Sequence, residues 1–296
     1  MKVCQYNDHQ AGVVQDNRVY PLGAALVTAG YLPGNYSMVD VITALANQPA
    51  ARQWADDFLL TGASLAIESV QLRAPVLNPP ALWAAASNYK AHHAEMQARG
   101  GKSDKSNLTK DELMAEFFLK PASSIIGPGG PVILPLISNH VDFECELCAV
   151  IGKTARFVTE EEALDYIFGY TMCWDFSQRD PWGQGRNSTR NIRKGIDTFT
   201  GLGPWIVTAD EIEDPQNLFI QVEQNGNRVM NAHTSDMICT LRDHIRFLSG
   251  LLTLHPGALI TTGTPAGVTR LSDGDQLRGT IEKIGTMEIA VRKSDR

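Results

Sequence analysis

Residues 140–153, HVDFECELCAVIGK, place three carboxylates in an apolar run that is typical of a buried β-strand. Asp142, Glu144 and Glu146 stand at every second position, and residues two apart project from the same face of a strand. Carboxylates crowded into a half-buried site repel one another and resist ionisation. A bound cation relieves that repulsion, so the stretch predicts a metal site on a core strand.

The same stretch contains Cys145 and Cys148, whose spacing resembles that of a redox or zinc pair. Positions three apart on a strand face opposite ways, so the two sulfurs are poorly placed to share one ion or one disulfide bond. We therefore interpret both cysteines as packing residues.

Strand geometry limits how many of the three acids one ion can bind. At a rise of about 3.3 Å per residue, the side chains of Asp142 and Glu146 start about 13 Å apart. Two neighbouring acids can share an ion, and the third ligand should then come from another strand. Asp175, which ends the apolar run GYTMCWD, is the best candidate. Three carboxylates suit Mg²⁺ or Mn²⁺ and not Zn²⁺. Periodicity alone still favours a plainer interpretation, in which Glu144 and Glu146 form the solvated face of an edge strand.

Composition and charge narrow the class of protein. The 296-residue chain is 43% hydrophobic and 20% charged, as in an ordinary soluble globular protein. A net charge of −7 argues against a nucleic-acid partner. No apolar run reaches the roughly 20 residues that cross a bilayer, and the start MKVCQYNDHQAGVV lacks the core of a secretory signal. Five cysteines at irregular spacing suit a reducing compartment. We expect a cytoplasmic protein without a nucleic-acid or membrane partner.

Turn signals and prolines divide the chain into two predicted domains. Residues 1–75 alternate short apolar runs with turns and helical patterns, which predicts a small α+β N-terminal domain with a hairpin tip at Asp16 and Asn17. Three prolines at 73–83 mark the joint. Strand-like runs dominate residues 76–296, and no parallel βαβ rhythm occurs. The fold class that we expect is α+β and β-rich, with the second domain a sandwich or roll.

Two helices are predicted in the larger domain. The segment VTEEEALDYI begins with Thr159 and has Glu162 three residues later, which is a capping-box pattern. The segment TLRDHIRFLSGLLTL spaces its apolar residues as an amphipathic helix does.

Six ordered blocks between residues 85 and 268 resemble the fumarylacetoacetate hydrolase family. Glu144-x-Glu146 together with Asp175 looks like the metal triad of that family, and the family pattern favours Asp175 over Asp142 as the third ligand. The remaining blocks are SNYKAHHAEM, FFLKPASSIIGPGGPVILP, DFSQRD, RKGIDTFTGLGPWIVT and LHPGALITTGTPAGV. Each block alone is weak evidence, whereas six blocks in order are specific.

The resemblance implies a mixed β-sandwich roll, a bound Mg²⁺ or Mn²⁺ ion and a homodimer. Its members act on 2-oxo acids that carry a 4-oxo group or an enol. The implied activity is hydrolysis of a C–C bond in a 2,4-dioxo acid such as an acylpyruvate or fumarylpyruvate, in the breakdown of aromatic compounds. The alternative on the same scaffold is a lyase or isomerase that decarboxylates, tautomerises or hydrates a 2-oxo acid.

Candidate roles for residues outside the triad follow from the same blocks. His92 and Glu95, three apart on one helical face, would serve as the general base and the carboxylate that orients it. Lys120 would hold an oxyanion or bind substrate, or else pair with the metal carboxylates. The implied substrate-binding residues are Tyr89, Arg179, Lys194 and Thr264, for which a salt bridge or a tight turn is the alternative role.

Three departures from the family pattern bear on the substrate. Trp174 stands beside Asp175 where the family commonly has Asn, and Trp182 follows in a basic segment. We expect the two indoles to supply apolar surface for a bulky or aromatic acyl group. Residues 97–116 form a long polar insertion, which is either a lid that orders over substrate or a solvated surface loop.

Overall fold

The chain folds around a mixed β-sheet of twelve strands, with a five-stranded sheet and a two-stranded ribbon beside it. The computed structural model describes residues 1–98, 108–180, 182 and 189–295, apart from the side chains of residues 93, 96 and 97. Its strands are β1 (Lys2–Tyr6), β2 (Gln10–Gln15), β3 (Arg18–Tyr20), β4 (Leu65–Ala66), β5 (Leu72–Arg73), β6 (Leu82–Ala84), β7 (Phe118–Leu119), β8 (Ile125–Ile126), β9 (Val132–Leu134), β10 (Val141–Asp142), β11 (Cys145–Ile151), β12 (Ile167–Asp175), β13 (Ser177–Gln178), β14 (Thr200–Thr208), β15 (Phe219–Gln224), β16 (Asn227–His233), β17 (Leu259–Thr261), β18 (Gln276–Ile281) and β19 (Gly285–Lys293). Its α-helices are α1 (Leu22–Thr28), α2 (Met38–Asn47), α3 (Pro49–Thr61), α4 (Lys90–Ala98), α5 (Lys110–Met114), α6 (Arg190–Lys194) and α7 (Leu241–Leu251).

The strand order confirms the expected α+β, β-rich class. In the large sheet the order is β4-β3-β2-β1-β14-β12-β11-β17-β6-β7, with β5 paired to β1 and β8 paired to β14. The five-stranded sheet has the order β16-β15-β18-β19-β9, and the ribbon joins β10 to β13. Most neighbouring strands are antiparallel, whereas β8–β14, β6–β17 and β9–β19 are parallel. The two larger sheets bury a common hydrophobic core, which gives the mixed β-sandwich.

Strand β11 lies inside the large sheet, and all seven of its residues are buried. Its side chains alternate between two hydrophobic clusters, as the sequence predicted. Leu147 packs in the cluster between the two sheets, whereas Val150 packs with residues of the N-terminal helices. Cys145 and Cys148 lie in different clusters, and all five cysteines are free thiols. Their interpretation as packing residues is therefore confirmed.

The N-terminal residues extend the large sheet. Strands β2 and β3 form the predicted hairpin, whose tip holds Asp16 and Asn17 at φ 50° and 58°. Strand β1 pairs antiparallel with β14, so the first residues share backbone hydrogen bonds with the rest of the fold. The division into domains at residue 75 stays a prediction.

One of the two predicted helices is correct and the other is wrong. Helix α7 follows Thr240, whose side chain forms a capping box with Asp243. The segment VTEEEALDYI instead forms turns and a short 3₁₀ helix at Ala163–Tyr166, after which β12 begins at Ile167. Thr159 and Glu162 still exchange the predicted capping-box hydrogen bonds. Within the described residues, no helix has the length and apolar character that a membrane span requires.

Trp174 does not supply the substrate-facing surface that the sequence suggested. It is fully buried between the two larger sheets, stacked on Phe176 at 6.2 Å and edge-on to Phe143 at 5.6 Å. A Cβ atom at Gly279 of β18 would lie 2.5 Å from its ring, so the contact is closely packed. Neighbouring residues of a strand face opposite ways, so the side chain of Trp174 points away from the carboxylate of Asp175.

His244 of α7 is a buried histidine whose ring lies edge-on to Phe117 at 5.0 Å. Its Nδ1 atom has no hydrogen-bond partner among the described residues. Burial lowers the pKa of His244 from 6.5 to about 4. The negative charge of Asp243 acts in the opposite direction, and the positive charge of Lys110 lowers the pKa further. The ring is therefore neutral in the folded protein at neutral pH.

We predict that His244 makes the protein less stable as the pH falls. An unfolded histidine takes up a proton near its ordinary pKa of about 6.5, whereas the folded ring stays neutral until about pH 4. The free energy of unfolding should therefore fall by at most about 1.4 kcal/mol per pH unit in that window. Denaturation curves of the wild type and His244→Gln between about pH 7 and pH 5 measure this contribution. Parallel pH dependence in the two proteins would refute it.

Candidate metal centre and active site

Glu144, Glu146 and Asp175 lie together on the face of the large sheet opposite Trp174. Glu144 and Asp175 exchange backbone hydrogen bonds of 3.0 and 2.8 Å, and Glu146 is opposite Cys173 in the β11–β12 register. All three are buried, and one ligand atom from each lies within 4.8 Å of the others. The structure thus brings together the three acids that the sequence suggested, in a set that does not include Asp142.

Two buried lysines neutralise part of this charge. The Nζ atom of Lys194 lies 2.8 Å from Oε2 of Glu144 and 2.7 Å from Oδ2 of Asp175. The Nζ atom of Lys120 lies 2.6 Å from Oδ1 of Asp175. Burial lowers the pKa of Lys194, but Asp175 and Glu144 more than compensate and raise it. Both lysines come from segments outside β11 and β12, so the cluster ties several parts of the chain together.

Asp142 does not face the ion site directly but pairs with Arg179. Oδ2 of Asp142 accepts a hydrogen bond of 2.8 Å from Nε of Arg179, and Oε1 of Glu144 accepts one of 2.9 Å from Nη2. The guanidinium therefore links an outer carboxylate to a candidate ligand. In this arrangement Asp142 positions Arg179 and Glu144.

The environments of the two glutamates push their pKa values apart. Burial alone would raise the pKa of Glu144, but the charges of Lys194 and Arg179 hold it well below its ordinary value. Burial, followed by repulsion from Asp175 and Glu144, raises the pKa of Glu146. Glu146 accepts a 2.8 Å hydrogen bond from the backbone N–H of Gly263 on Oε2, and its Oε1 has no hydrogen-bond partner among the described residues. This buried oxygen, within an all-carboxylate donor set, fits a hard divalent ion.

Lys120 pairs with Asp175, one of the three candidate metal ligands. This is the alternative to direct substrate binding that the sequence suggested. Besides Asp175, its ammonium group donates to the backbone carbonyls of Lys194 and Phe199. An ammonium group has three N–H donors, so these contacts use all of them. A direct contact with substrate would require one of these bonds to break.

His92 and Glu95 lie on one face of α4, as their spacing predicted. His92 Nδ1 is 3.4 Å from Oε2 of Glu95. The same carboxylate oxygen accepts a 3.3 Å hydrogen bond from the backbone N–H of Gly267. His92 is buried and close enough to Glu144 for its charge to affect that carboxylate. The pair therefore borders the carboxylate cluster.

The two remaining candidates for substrate binding are both buried. The Tyr89 hydroxyl has no hydrogen-bond partner in the described part of the chain. Burial, then the charge of Glu146, raises its pKa. Thr264 Oγ1 donates a long bond of 3.4 Å to the carbonyl of Cys145. Thr264 thus ties a turn to β11, as its alternative role supposed, whereas the buried Tyr89 hydroxyl is within range of the charge of Glu146.

The polar insertion is described in part. Residues 99–107 lie outside the described residues, as do most of the residues around Trp182, which is itself exposed. Helix α5 lies within the insertion and is tied to α7 by ion pairs of Lys110 with Asp243, at 2.7 Å, and of Asp111 with Arg246. The lid remains a prediction.

Sequence reasoning missed the backbone contribution of Gly263 to the site. Its N–H binds Glu146, and its φ of +80° is a conformation that favours glycine. The glycine of the Thr-Gly-Thr-Pro turn indicated that the backbone approaches another group closely. The sequence could not show which group, because Glu146 lies more than 100 residues away in the chain.

A buried three-carboxylate cluster on a mixed β-sandwich, bordered by a His–Glu pair, is an arrangement that suits an enzyme with a hard divalent ion. Residues 81–292 match the family model described as fumarylacetoacetate (FAA) hydrolase C-terminal. The chain belongs to the fumarylacetoacetate hydrolase family.

Individual relatives extend the similarity over the whole chain. The maleylpyruvate hydrolase of Aquipseudomonas alcaligenes is 36% identical over 297 residues, which cover 99% of each chain. A crystal structure of maleylpyruvate hydrolase from Sphingobium sp. SYK-6 with manganese(II) and pyruvate superposes with a TM-score of 0.83, at 31% identity and full coverage of both chains. The mitochondrial oxaloacetate tautomerase of Xenopus laevis is 36% identical over 231 residues, covering 75% of this chain and 69% of that protein.

We predict that Glu146→Gln weakens divalent-ion binding and leaves the protein folded. No lysine among the described residues pairs with Glu146, so Glu146→Gln removes a candidate ligand without leaving a cation unpaired. Loss of an outer-shell partner costs about 10- to 100-fold in metal affinity, and the affinity for Mn²⁺ should fall by more than that. Above about pH 8, where the buried carboxyl of Glu146 is ionised, the apo variant should melt at a higher temperature because one like charge is removed. Titration calorimetry and thermal melting measure the two effects.

Asp142→Asn is the matched control for this prediction. Asp142 supports Arg179 and lies outside the three-carboxylate set, so its loss should weaken Mn²⁺ binding less than Glu146→Gln does. If Asp142→Asn abolished binding and Glu146→Gln preserved it, the ligand set would be wrong.

Proposed function

We propose that the chain hydrolyses a C–C bond of a 2,4-dioxo acid of the acylpyruvate type, with Mg²⁺ or Mn²⁺ held by Glu144, Glu146 and Asp175. The observation that carries the proposal is the buried triad with the unpartnered Oε1 of Glu146, next to the His92–Glu95 pair. The end-to-end similarity to two maleylpyruvate hydrolases supports the reaction, and the manganese and pyruvate bound to one of them support the ion and the 2-oxo acid.

The cations of the site are suited to hold the substrate carboxylate. The bound ion would polarise the 2-oxo group as a Lewis acid. Lys194 donates two of its three N–H groups to carboxylates, and Arg179 donates through Nε and Nη2. In this proposal the third Lys194 donor and Nη1 of Arg179 bind the 2-oxo acid end. The Tyr89 hydroxyl is a further donor, and Thr264 shapes the turn beside it.

His92 and Glu95 are proposed to activate the water. With Nδ1 of His92 facing Glu95, Nε2 is the nitrogen that accepts the proton of the attacking water, and the carboxylate stabilises the imidazolium. The water oxygen bonds to the 4-oxo carbon, and the C3–C4 bond breaks. Its electron pair passes to the pyruvate enolate, which regains a proton at C3. The acyl part leaves as a carboxylic acid.

The alternative is tautomerisation or decarboxylation of a 2-oxo acid, and one comparison favours it. The oxaloacetate tautomerase of Xenopus laevis and the maleylpyruvate hydrolase of Aquipseudomonas alcaligenes are both 36% identical to this chain. The similarity to the tautomerase covers 231 residues, against 297 for the hydrolase. Because Trp174 lies in the core, it no longer argues for a large acyl group. Hydrolysis retains the support of full-length similarity.

Two further features belong to the proposal. A homodimer is supported by exposed apolar side chains, among them Leu136, Ile137 and Ile192, which line two depressions that share Ile196. A cytoplasmic location is supported by five free cysteines.

We predict that the Mn²⁺-loaded protein cleaves an acylpyruvate to pyruvate and that His92→Ala lowers kcat about 10²- to 10⁴-fold, the usual cost of losing a general base. Mn²⁺ affinity should change little, because His92 is no ligand in the proposal. His255→Ala is the control, since this exposed histidine lies near the Ile151 end of β11. Mass spectrometry of the products provides the measurement.

The same preparation discriminates hydrolysis from the alternative. We expect kcat/KM for maleylpyruvate or a related acylpyruvate to exceed that for oxaloacetate tautomerisation or decarboxylation. Glu95→Gln should impair hydrolysis more than decarboxylation, because decarboxylation needs no activated water. Faster oxaloacetate turnover, or equal losses in the variant, would overturn the hydrolase proposal.

A further inference from the structure

Asn88, two residues before α4, joins three segments that are far apart in the sequence. Its side chain is buried, and Nδ2 donates to the carbonyls of Cys239 and Thr262, both at 2.8 Å. Oδ1 accepts a 2.7 Å bond from the N–H of Cys239. Nε2 of the neutral His244 lies 3.4 Å from the same Nδ2. The amide thus uses both of its N–H donors and its acceptor.

The segment that Asn88 holds, residues 262–267, contacts both halves of the candidate site. We call it the bridging loop. At one end the N–H of Gly263 binds Glu146, at 2.8 Å. At the other end the N–H of Gly267 binds Glu95, at 3.3 Å. The loop therefore spans from a candidate metal ligand to the carboxylate of the His92–Glu95 pair.

Steric contacts fix the bridging loop against Asn88. A Cβ atom at Gly263 would lie 3.0 Å from Cβ of Asn88, so the two backbones are close to contact. At Gly267, where φ is +111°, a Cβ atom would lie 2.3 Å from the carbonyl of Val229. The loop therefore has little room to move independently of Asn88 at Gly263 and of Val229 at Gly267.

We propose that Asn88 is a positioning residue, which sets the distance between the His92–Glu95 pair and Glu146 through the bridging loop. The inference rests on the proposed function, because it assigns the pair a role in proton transfer. Asn is suited to the task since its amide donates to two carbonyls and accepts from an N–H at once. An aspartate of the same shape keeps the acceptor, loses both donors and places a charge against the carbonyls of Cys239 and Thr262.

Asn47→Asp is a control for Asn88→Asp. Nδ2 of Asn47 also donates to two carbonyls, those of Thr43 in its own helix and of Gly152, both at 2.9 Å. The second bond joins α2 to the end of β11 that is remote from Glu146. Both substitutions remove two N–H donations to carbonyls, but Asn47 is exposed, and only Asn88 lies beside the site. Asn88→Ala removes the bonds without adding a charge and serves as a second variant if Asn88→Asp does not fold.

The test compares these variants in three measurements below their melting temperatures. The first is kcat and KM with an acylpyruvate, the second is Mn²⁺ affinity, and the third is the pKa of His92, measured by NMR of histidine-labelled protein saturated with diamagnetic Mg²⁺. We expect a kcat lowered about 10- to 100-fold at Asn88, as for a catalytic group displaced by about 1 Å. KM should stay within about threefold, and Mn²⁺ affinity should fall less than in Glu146→Gln, because Glu144 and Asp175 keep their lysine partner and all three carboxylates remain. The pKa of His92 should shift at Asn88 and not at Asn47.

Variants at Asn88 that melt at a lower temperature, but keep the wild-type kcat and His92 pKa, would overturn the inference and leave Asn88 a purely structural residue. Equal effects at Asn88 and Asn47 would do the same. If the wild type hydrolyses no acylpyruvate, the proposed function fails, and the pKa of His92 in the two variants still tests the positioning role.

Discussion

Repulsion among three buried carboxylates is the constraint on which the rest of the structure depends. An uncompensated charge in a protein interior costs several kcal/mol. Lys194 meets this cost for two of the carboxylates by bridging Glu144 and Asp175. Among the described residues, Glu146 accepts one backbone N–H bond, and its Oε1 has no hydrogen-bond partner. The protein balances the cluster only in part, and a divalent cation bound there would supply further positive charge.

One strand pairing determines both the ligand set and the packing beneath it. The β11–β12 register places Asp175 beside Glu144, and the alternation along β11 turns Glu144 and Glu146 to the same face. The alternation along β12 directs Trp174, the neighbour of Asp175, into the core between the two larger sheets. A shift of one residue would exchange the acids and the core side chains, so register and charge placement are coupled.

Short-range patterns predicted much of this fold and of the site, and long-range pairing accounts for what they missed. The period of two in β11, the Asp16–Asn17 turn and the cap of α7 are local features that the sequence shows directly. At VTEEEALDYI the capping-box bonds of Thr159 and Glu162 form as the local pattern predicts, but the chain passes through a 3₁₀ helix into β12 and forms no α-helix. Trp174 was misjudged because adjacency to Asp175 in sequence was taken as adjacency in space. The partners of Asn88 lie 151 and 174 residues away, beyond the reach of any local pattern.

The measurement that tests the central claim most directly is anomalous diffraction at the manganese edge from crystals of the wild-type protein soaked in Mn²⁺. The account predicts one strong peak coordinated by carboxylate oxygens of Glu144, Glu146 and Asp175, with Asp142 still bound to Arg179. A peak held by Asp142 in place of Asp175, or one remote from these three acids, would contradict it.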